Sequence, residues 1–495
     1  MNLHTHDNMC KGDCLKFPKN FMIGYSSSPF QFEAGIPGSE DPNSDWWIWV
    51  HDPENIAAGL VSGDLPENGP GYWNLYKNDH DLAEKLGVNT IRVGVEWSRI
   101  FPKPTFNVKV PVERDENGNI VHVDVDDKAV ERLDELANKE AVNHYVEMYK
   151  DWVERGRKLI LNLYHWPLPL WLHNPIMVRR MGPDRAPSGW LNEESAVEFA
   201  KYAAYIAWKM GELPVMWSTM NEPNVVYEQG YMFVKGGFPP GYLSFEATDK
   251  ARRNMIQAHA RAYDNIKRFS KKPVGLIYAF QWFELLEGPA EVFDKFKSSK
   301  LYFFTDMVSK GSSIINAEYR RDLANRLDWL GVNYYSRLVY KIVDDKPIIL
   351  HGYGFLCTPR GISPAGNPCS DFGWEVYPEG LYLLLKELYN RYGLDLIVTE
   401  NGVSDSRDAL RPAYLVSHVY SVWKAVNEGI PVKGYLHWSL TDNYEWAQGF
   451  RQKFGLVMVD FKTKKRYLRP SALVFREIAT HNGIPDELEH LTLIQ

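Results

Sequence analysis

The feature that most constrains the fold is a short apolar run followed by a longer stretch of helical periodicity, a unit repeated eight times. The apolar runs lie at 21–28, 90–97, 158–166, 215–222, 274–280, 328–335, 394–400 and 432–440. Most are near-continuous, as in parallel strands buried on both faces. Segments 141–156, 193–211 and 412–429 carry apolar residues at helical spacing and end in glycine. This alternation predicts an α/β fold, a single (β/α)8 (TIM) barrel.

The repeats are longer than a bare barrel needs. They average about 59 residues, against roughly 31 in a barrel of about 250 residues. The surplus falls in blocks rich in proline, glycine and aromatic residues, at 29–75, 101–138, 167–191 and 336–376. We interpret them as long loops that build walls over the C-terminal face of the strands. Residues 1–16 are predicted to be a flexible extension, and 17–495 to be one domain.

Composition excludes several functional classes. The 495 residues are 45% apolar, with 56 basic and 63 acidic side chains and a net charge of -7. A chain without a basic surplus is not expected to bind nucleic acid. No apolar run reaches the roughly 18 residues of a membrane span, and the first residues lack the apolar stretch of a secretory signal. We therefore expect a cytoplasmic protein that acts on a small molecule.

The four cysteines are too few for a disulfide scaffold. Near the start of the chain a metal could be held by His4, His6, Cys10 and Cys14. We favour a mobile tail there, because chain termini are commonly disordered. Cys357 and Cys369 could form a disulfide or remain reduced, and the sequence leaves both open.

Tryptophan is unusually common, with 17 residues beside 28 tyrosines and 23 phenylalanines. Many stand next to Gly, Pro, His or Asp in loop-like sequence, as in DWWIWVHDP, YHWPLPLWLH, DFGWEVYP and HWSLTDNYEWAQG. Packing in the core would explain aromatic residues in general. Rigid flat faces on loops instead indicate a pocket wall suited to the apolar face of a sugar ring.

Acidic and amide side chains close several of the predicted strands. The fourth runs into Asn221 and Glu222, and the seventh into Glu400 and Asn401. Active sites of barrels lie at these strand ends, and a buried carboxylate is costly unless paired or used. Two carboxylates facing one pocket fit glycoside hydrolysis, in which one is protonated and the other ionised. Arg92 would favour the ionised form of one of them.

Six motifs resemble one enzyme family. They are TMNEPN (219–224), VTENG (398–402), VEWSRIFP (95–102), YHWPLPLWL (164–172), GVNYYSR (331–337) and LHWSLTDNYEWAQGFRQKFGL (436–456). Together they resemble the family 1 β-glycosidases, and among them the archaeal, thermophile-derived branch, over about residues 17 to 490. The resemblance implies a retaining exo-β-glycosidase that needs no cofactor or metal and forms a homo-oligomer.

The resemblance also implies residue roles. Glu222 is the acid/base and Glu400 the nucleophile, with carboxyl groups about 5–5.5 Å apart, as retention requires. Supporting roles carry over to Arg92, Asn221, Asn333 and Tyr335. The residues that match the substrate-binding set are Gln31, His165, Trp166, Trp438, Glu445, Trp446 and Phe454. Of these, Trp438 would be the platform under the sugar.

Departures from related families narrow the substrate. Glu222 stands where thioglucosidase relatives have glutamine, so ordinary O-glycosides are expected. Glu445 stands where relatives acting on 6-phosphorylated sugars have serine, which favours neutral sugars, with both gluco- and galacto-epimers accepted. Glu96 is expected to be a structural partner of Arg99. Asp442 is expected to orient the loop that carries Glu445.

Two other functions stay open from the residues alone. A metal-assisted hydrolase could use His165, Glu222 and Glu400 as ligands. A non-catalytic sugar-binding protein could use the same aromatic pocket without needing both glutamates.

Overall fold

The computed structural model describes residues 15–315 and 319–492. All eight predicted strands are present. They are β1 (Met22–Ser26), β2 (Thr90–Gly94), β3 (Lys158–Asn162), β4 (Met216–Asn221), β5 (Val274–Glu287), β6 (Trp329–Val343), β7 (Asp395–Glu400) and β8 (Val432–His437). The strands are parallel and run in the order β7-β8-β1-β2-β3-β4-β5-β6, with β6 pairing back to β7. The sheet is therefore a closed barrel, as predicted.

Helices between the strands form the outer ring, and the three clearest predicted helices are confirmed. The ring contains α1 (Tyr72–Lys85), α2 (Lys139–Glu154), α3 (Glu194–Met210), α4 (Phe245–Phe269), α5 (Phe303–Lys310), α6 (Pro378–Tyr392), α7 (Arg411–Asn427) and α8 (Pro470–His481). Additional helices are Pro29–Phe32, Asp45–His51, Pro53–Ala57, Trp97–Ile100, Asp127–Leu136, Pro175–Met181, Pro223–Tyr231 and Ala290–Leu301. Additional strands are Val112–Arg114, Ile120–Val123, Lys346–Ile349, Val457–Val459 and Arg466–Leu468.

The inside of the barrel is apolar at its floor. One buried layer, supplied by six different strands, consists of Met22, Ile160, Ile277, Trp329, Ile397 and Leu436. Closer to the carboxyl ends of the strands, inward positions are polar and buried, among them Arg92, Asn333 and Thr399. Buried polar groups are costly unless hydrogen-bonded, so this upper layer marks where the barrel is built for chemistry.

Strands β5 and β6 are 14 and 15 residues long, whereas the other barrel strands have five or six. The sequence predicted these two strands to stop at 280 and 335, which is wrong. Their outer halves remain paired, for example Phe283 with Leu338, and form a ribbon beyond the barrel. Polar residues such as Gln281 and Glu284 interrupt the apolar run there, because one face of the ribbon leaves the core.

Of the four long loop blocks, two take part directly in the cavity wall. Blocks 29–75 and 336–376 contribute cavity-lining residues, but 101–138 and 167–191 contribute none among those described. Block 101–138 instead packs on the outer helices. Lys201 of α3 donates to the carbonyls of Thr105 and Val108, and Asn265 of α4 donates to that of Val123.

Two cysteine questions have different outcomes. Cys357 and Cys369 form a disulfide. The cluster of His4, His6, Cys10 and Cys14 lies outside the described residues.

Within residues 15–315 and 319–492, no group of three or more His, Cys, Asp or Glu side chains is arranged to hold a metal ion. No helix in the same ranges is long and apolar enough to cross a membrane.

Candidate active site

A cavity of about 550 Å³ opens at the carboxyl ends of the strands. We call the polar end of the cavity, which is nearest the barrel and contains Glu222 and Glu400, the inner part. Eleven of the predicted site residues line the cavity: Gln31, His165, Trp166, Glu222, Asn333, Tyr335, Glu400, Trp438, Glu445, Trp446 and Phe454. Arg92 and Asn221 do not line it. Both are fully buried behind the two glutamates and contact the lining residues by hydrogen bonds.

Both strands that lead to the glutamates contain a register irregularity. On β7, Thr399 is an extra residue relative to β6. Because Ile397 faces the barrel interior, alternation would turn Glu400 outward, and the extra residue turns it inward instead. On β4, three residues oppose two of β5, so Asn221 faces inward although Met216 does as well. These bulges bring the site residues of two strands that are not neighbours in the barrel into one cavity.

Glu400 is held by two donors. Arg92 Nη1 donates to Glu400 Oε1 at 2.8 Å, and the Tyr335 hydroxyl donates to Oε2 at 2.8 Å. Burial raises the pKa of Glu400, whereas the Arg92 charge and the hydrogen bonds from Tyr335 and Arg92 act against that rise. Both donors favour the charged form of this carboxylate.

Glu222 has fewer hydrogen-bond donors than Glu400. It follows β4 with a positive φ of 49° and precedes the helix Pro223–Tyr231. Its carboxylate accepts one hydrogen bond, from Asn333 Nδ2 at 2.7 Å. Burial, and then the charge of Glu400, raise the pKa of Glu222 to about 8. Since the arginine pairs directly with Glu400, the shared negative charge of the pair rests on Glu400, and Glu222 is protonated near neutral pH.

His165 is oriented through an amide. Asn221 Oδ1 accepts from Arg92 Nη2, so its Nδ2 faces His165 and donates to Nε2 at 3.1 Å. Burial and the Arg92 charge lower the pKa of His165, which is therefore neutral, with its proton on Nδ1. Nδ1 is buried and has no partner among the described residues. It is thus an unpaired donor on a residue that lines the cavity.

The opposite side of the inner part carries hydroxyl-binding groups and aromatic faces. Gln31 Nε2 donates to Asn443 Oδ1 at 3.0 Å and to Glu445 Oε2 at 3.3 Å. Burial and the charge of Glu400 raise the pKa of Glu445 to about 8. Glu445 is therefore mostly protonated near neutral pH and can both donate and accept, rather than only accept. Trp166 and Trp446 pack against each other with ring centroids 4.4 Å apart.

The outer part of the cavity is an apolar wall. Only one of its residues was predicted from the sequence. It is lined by the half-buried side chains of Leu338, Ile349, Phe355, Leu356, Phe372 and Trp374. The motif DFGWEVYP signalled its tryptophan. The other five were missed, because single apolar residues in a ribbon or loop look like packing residues. Phe372 and Trp374 stack with ring centroids 4.5 Å apart.

A buried ion pair fixes this outer wall. The Glu375 carboxylate accepts two hydrogen bonds from the Arg337 guanidinium, at 2.8 and 2.7 Å. It also accepts from Ser363 and from the backbone N–H of Gly354, both at 2.7 Å. The disulfide ties the same loop between its two halves.

Two expected structural residues have different outcomes. Asp442 makes a two-fold ion pair with Arg469 at 2.9 Å, which confirms its structural place before Glu445. Glu96 is near Arg99 as expected, since the Arg99 charge acts to lower the pKa of Glu96, but the direct ion-pair partner of Arg99 is another residue. Arg99 pairs with Glu33 at 2.8 Å, because Glu33, the C-cap of the short helix after β1, reaches its guanidinium.

Comparison with known proteins identifies the family. The model of glycosyl hydrolase family 1 matches residues 14–110 and 134–484. The chain belongs to glycosyl hydrolase family 1. The unmatched interval lies within block 101–138, which is the block that packs away from the cavity.

Individual relatives of this family 1 chain come from thermophilic archaea. It is 55% identical to a β-galactosidase of Saccharolobus solfataricus, over 97% of this chain and 98% of that protein. The crystal structure of a β-glycosidase from the hyperthermophile Thermosphaera aggregans is 96% identical, with a TM-score of 0.97, covering 97% and 100% of the two chains. A β-glucosidase structure from Pyrococcus furiosus is 61% identical, with a TM-score of 0.91, covering 96% and 98%. The predicted family, branch and fold are confirmed.

Proposed function

We propose that this glycoside hydrolase removes terminal β-D-glucosyl and β-D-galactosyl residues with retention, using Glu400 as nucleophile and Glu222 as acid/base. The observation that carries the proposal is the unequal environment of the two buried glutamates. Glu400 has an arginine and a tyrosine as donors, whereas Glu222 has one amide and a pKa raised to about 8.

In the first step the Glu400 carboxylate attacks the anomeric carbon. The bond from that carbon to the leaving oxygen breaks, and the oxygen takes the proton of the Glu222 carboxyl group. The product is an α-linked glycosyl-enzyme, because attack inverts the anomeric carbon. The Arg92 and Tyr335 hydrogen bonds keep Glu400 ionised and orient it for attack.

In the second step Glu222 acts as a base. Once Glu400 is esterified it no longer carries a charge, so the pKa of Glu222 falls and its carboxylate can accept a proton from water. That water attacks the anomeric carbon, the bond to Glu400 breaks, and a β-configured sugar is released. An alcohol or second sugar in place of water gives transglycosylation.

The cavity supports the proposed substrate range. The sugar would lie in the inner part, where His165 Nδ1, Gln31 and Glu445 offer hydrogen bonds and Trp438 offers a flat face. The remaining volume leads to the apolar outer part, which suits aryl and alkyl leaving groups as well as the apolar faces of further sugars.

The assembly and location belong to the proposal. A related β-glucosidase mutant is described as derived from a hyperthermophilic tetrameric structure. We expect this chain also to form a homo-oligomer, a tetramer or a dimer, to be thermostable and to work in the cytoplasm. Residues 17–495 would form one domain. Sedimentation velocity on the full chain measures the assembly directly.

Azide rescue tests the two roles. In Glu222→Ala, azide would intercept the α-linked glycosyl-enzyme and give a β-glycosyl azide. In Glu400→Ala, azide would attack the aryl β-glucoside directly from the opposite face and give an α-glycosyl azide. The products are assigned by proton NMR. Like anomers from both variants would refute the assignment.

A matched control uses Glu96, another buried glutamate that follows a barrel strand but lies outside the cavity. Glu96→Gln should give no azide product. The two alternative functions are tested on the wild-type protein. Loss of turnover after exhaustive chelation would favour the metal-assisted hydrolase. Sugar binding without any turnover of aryl β-glycosides would favour a binding protein.

A further inference from the structure

Thr399, the extra residue of β7, faces the site but touches no cavity space. Its side chain is fully buried, and its hydroxyl donates to Asn333 Oδ1 at 2.7 Å. Its backbone carbonyl accepts from the Ser26 hydroxyl at 2.5 Å, which ties the bulge to β1. The bulge therefore turns two neighbouring side chains inward, and only one of them, Glu400, lines the cavity.

Asn333 uses both ends of its amide. Its Oδ1 accepts from Thr399, while its Nδ2 donates to Glu222 Oε1 at 2.7 Å and to Asn221 Oδ1 at 3.0 Å. The Asn221 oxygen also accepts from Arg92, which makes it an acceptor without ambiguity. Only one orientation of the Asn333 amide satisfies all of these partners, and the Thr399 hydroxyl is the donor that completes it.

We propose that Thr399 is a positioning residue for the acid/base glutamate: its hydroxyl holds the Asn333 amide in the place from which Nδ2 donates to Glu222. This inference rests on the proposed role of Glu222. Thr399 itself does not contact the substrate space, so it would act only through Asn333.

The space around the Thr399 hydroxyl is closely packed. Gly331 lies beside it on β6, and a Cβ at that position would stand 2.6 Å from Ile277 Cγ1 and 3.0 Å from Thr399 Oγ1. The missing side chain at 331 thus leaves room for both Ile277 and the Thr399 hydroxyl. A β-branched side chain of the same size, valine, would fill this space without donating.

Loss of the hydroxyl should act on Glu222 with a definite sign. Asn333 Oδ1 would become a buried acceptor without a donor, which costs about 1–3 kcal/mol and lets the amide turn away. The hydrogen bond from Asn333 favours the charged form of Glu222. Without it the pKa of Glu222 rises, and the alkaline limb of kcat/KM moves to higher pH.

Other groups around Glu222 act on the same pKa and stay in place in the test. Glu400 from β7 raises it, Arg92 from β2 lowers it, and Glu445 from the loop after β8 raises it. Tyr335 from β6 lies in the same cavity wall. None of these side chains bonds to the Thr399 hydroxyl.

The experiment compares Thr399→Val and Thr399→Ala with Thr399→Ser, which keeps the hydroxyl. The matched control is Thr219→Val, because Thr219 is equally buried on β4 but its hydroxyl pairs with His259 outside the site. Values of kcat/KM are measured across pH for two aryl β-glucosides. One has a phenol leaving group, which needs protonation, and the other a dinitrophenol leaving group, which does not.

For Thr399→Val and Thr399→Ala we expect kcat/KM on the phenyl glucoside to fall about 30-fold, the effect of one unmade buried hydrogen bond. For the dinitrophenyl glucoside, kcat/KM should fall by less than about threefold. The alkaline limb of the pH profile should move to higher pH by about half a unit. Thr399→Ser and Thr219→Val should have the wild-type position of the alkaline limb. They should also have the wild-type ratio of kcat/KM values for the two glucosides.

Equal losses on both substrates with an unmoved limb would overturn the proposal, since a merely structural threonine would lower only the amount of folded enzyme. The limb position does not depend on that amount, so a poorly folding variant still gives an answer. Correct azide anomers with this negative result would refute Thr399 alone. Like anomers would refute the role of Glu222 on which the inference rests.

Discussion

The inner and outer parts of the cavity are built by different means. In the inner part, side chains at the ends of short strands hold one another by hydrogen bonds, so that Arg92 reaches both Glu400 and Asn221. In the outer wall of six apolar side chains, those side chains contact the cavity and the Arg337–Glu375 pair lies behind them. Polar groups thus act on the ligand in the inner part and support the wall in the outer part.

This difference indicates that one barrel can control the reaction in the inner part and the choice of leaving group in the outer part. A change in the inner part should alter pH dependence and turnover for every substrate. A change in the outer part should alter only substrates whose leaving group reaches it. Three variants test this separation.

The largest effect is expected from Arg92→Met. Breaking a buried ion pair costs ~3–5 kcal/mol, so kcat/KM should fall about 1000-fold on all glycosides. Arg92 holds down the pKa of Glu400. In its absence that pKa rises, the nucleophile is ionised only at higher pH, and the acid limb of the kcat/KM profile moves upward. The profile is measured between pH 4 and 9, about the range in which these carboxyl groups titrate.

Arg469→Met is the matched control, because Arg469 forms a similarly buried pair with Asp442 outside the cavity. It should lower thermal stability and leave the acid limb where it is. If the acid limb moved equally in both variants, control of the reaction would not be specific to the inner part.

A smaller and selective effect is expected from Phe372→Ala in the outer part. Losing one face of contact with an octyl chain is worth ~1 kcal/mol, so kcat/KM for octyl β-glucoside should fall about fivefold. Methyl β-glucoside, whose leaving group is too short to reach this wall, should be unaffected. Phe106→Ala provides the comparison, since Phe106 is also partly exposed but does not line the cavity. Equal losses on methyl and octyl glucosides would contradict the separation.

The smallest effect on turnover is expected from Cys357→Ser combined with Cys369→Ser. The disulfide closes a loop with a sequence separation of 12, and such a link typically contributes ~3 kcal/mol. The melting temperature should fall by about 3 °C, while turnover of methyl β-glucoside stays the same. Calorimetry on the variant and on reduced wild-type protein should agree. An unchanged melting temperature would mean that the Arg337–Glu375 pair alone holds the wall.

Much of the fold could be predicted because its signals are local. Near-continuous apolar runs predicted all eight strands, and residues at their ends predicted which glutamates face the cavity. The ends of β5 and β6 were missed, since polar residues such as Gln281 and Glu284 interrupt the apolar runs there. The partner of Arg99 was also missed, because Glu33 and Arg99 lie 66 residues apart along the chain.

The amino-acid sequence by itself determined the eight-fold strand and helix alternation, the family motifs and the identity of the two glutamates. Those features depend on neighbouring residues and on periodicity. The tertiary structure decided which way Glu400 and Asn221 point, which contacts raise the pKa of Glu222, and how the apolar wall is fixed. Bulges, shared hydrogen bonds and burial arise between strands that are far apart in the chain, so no local pattern encodes them.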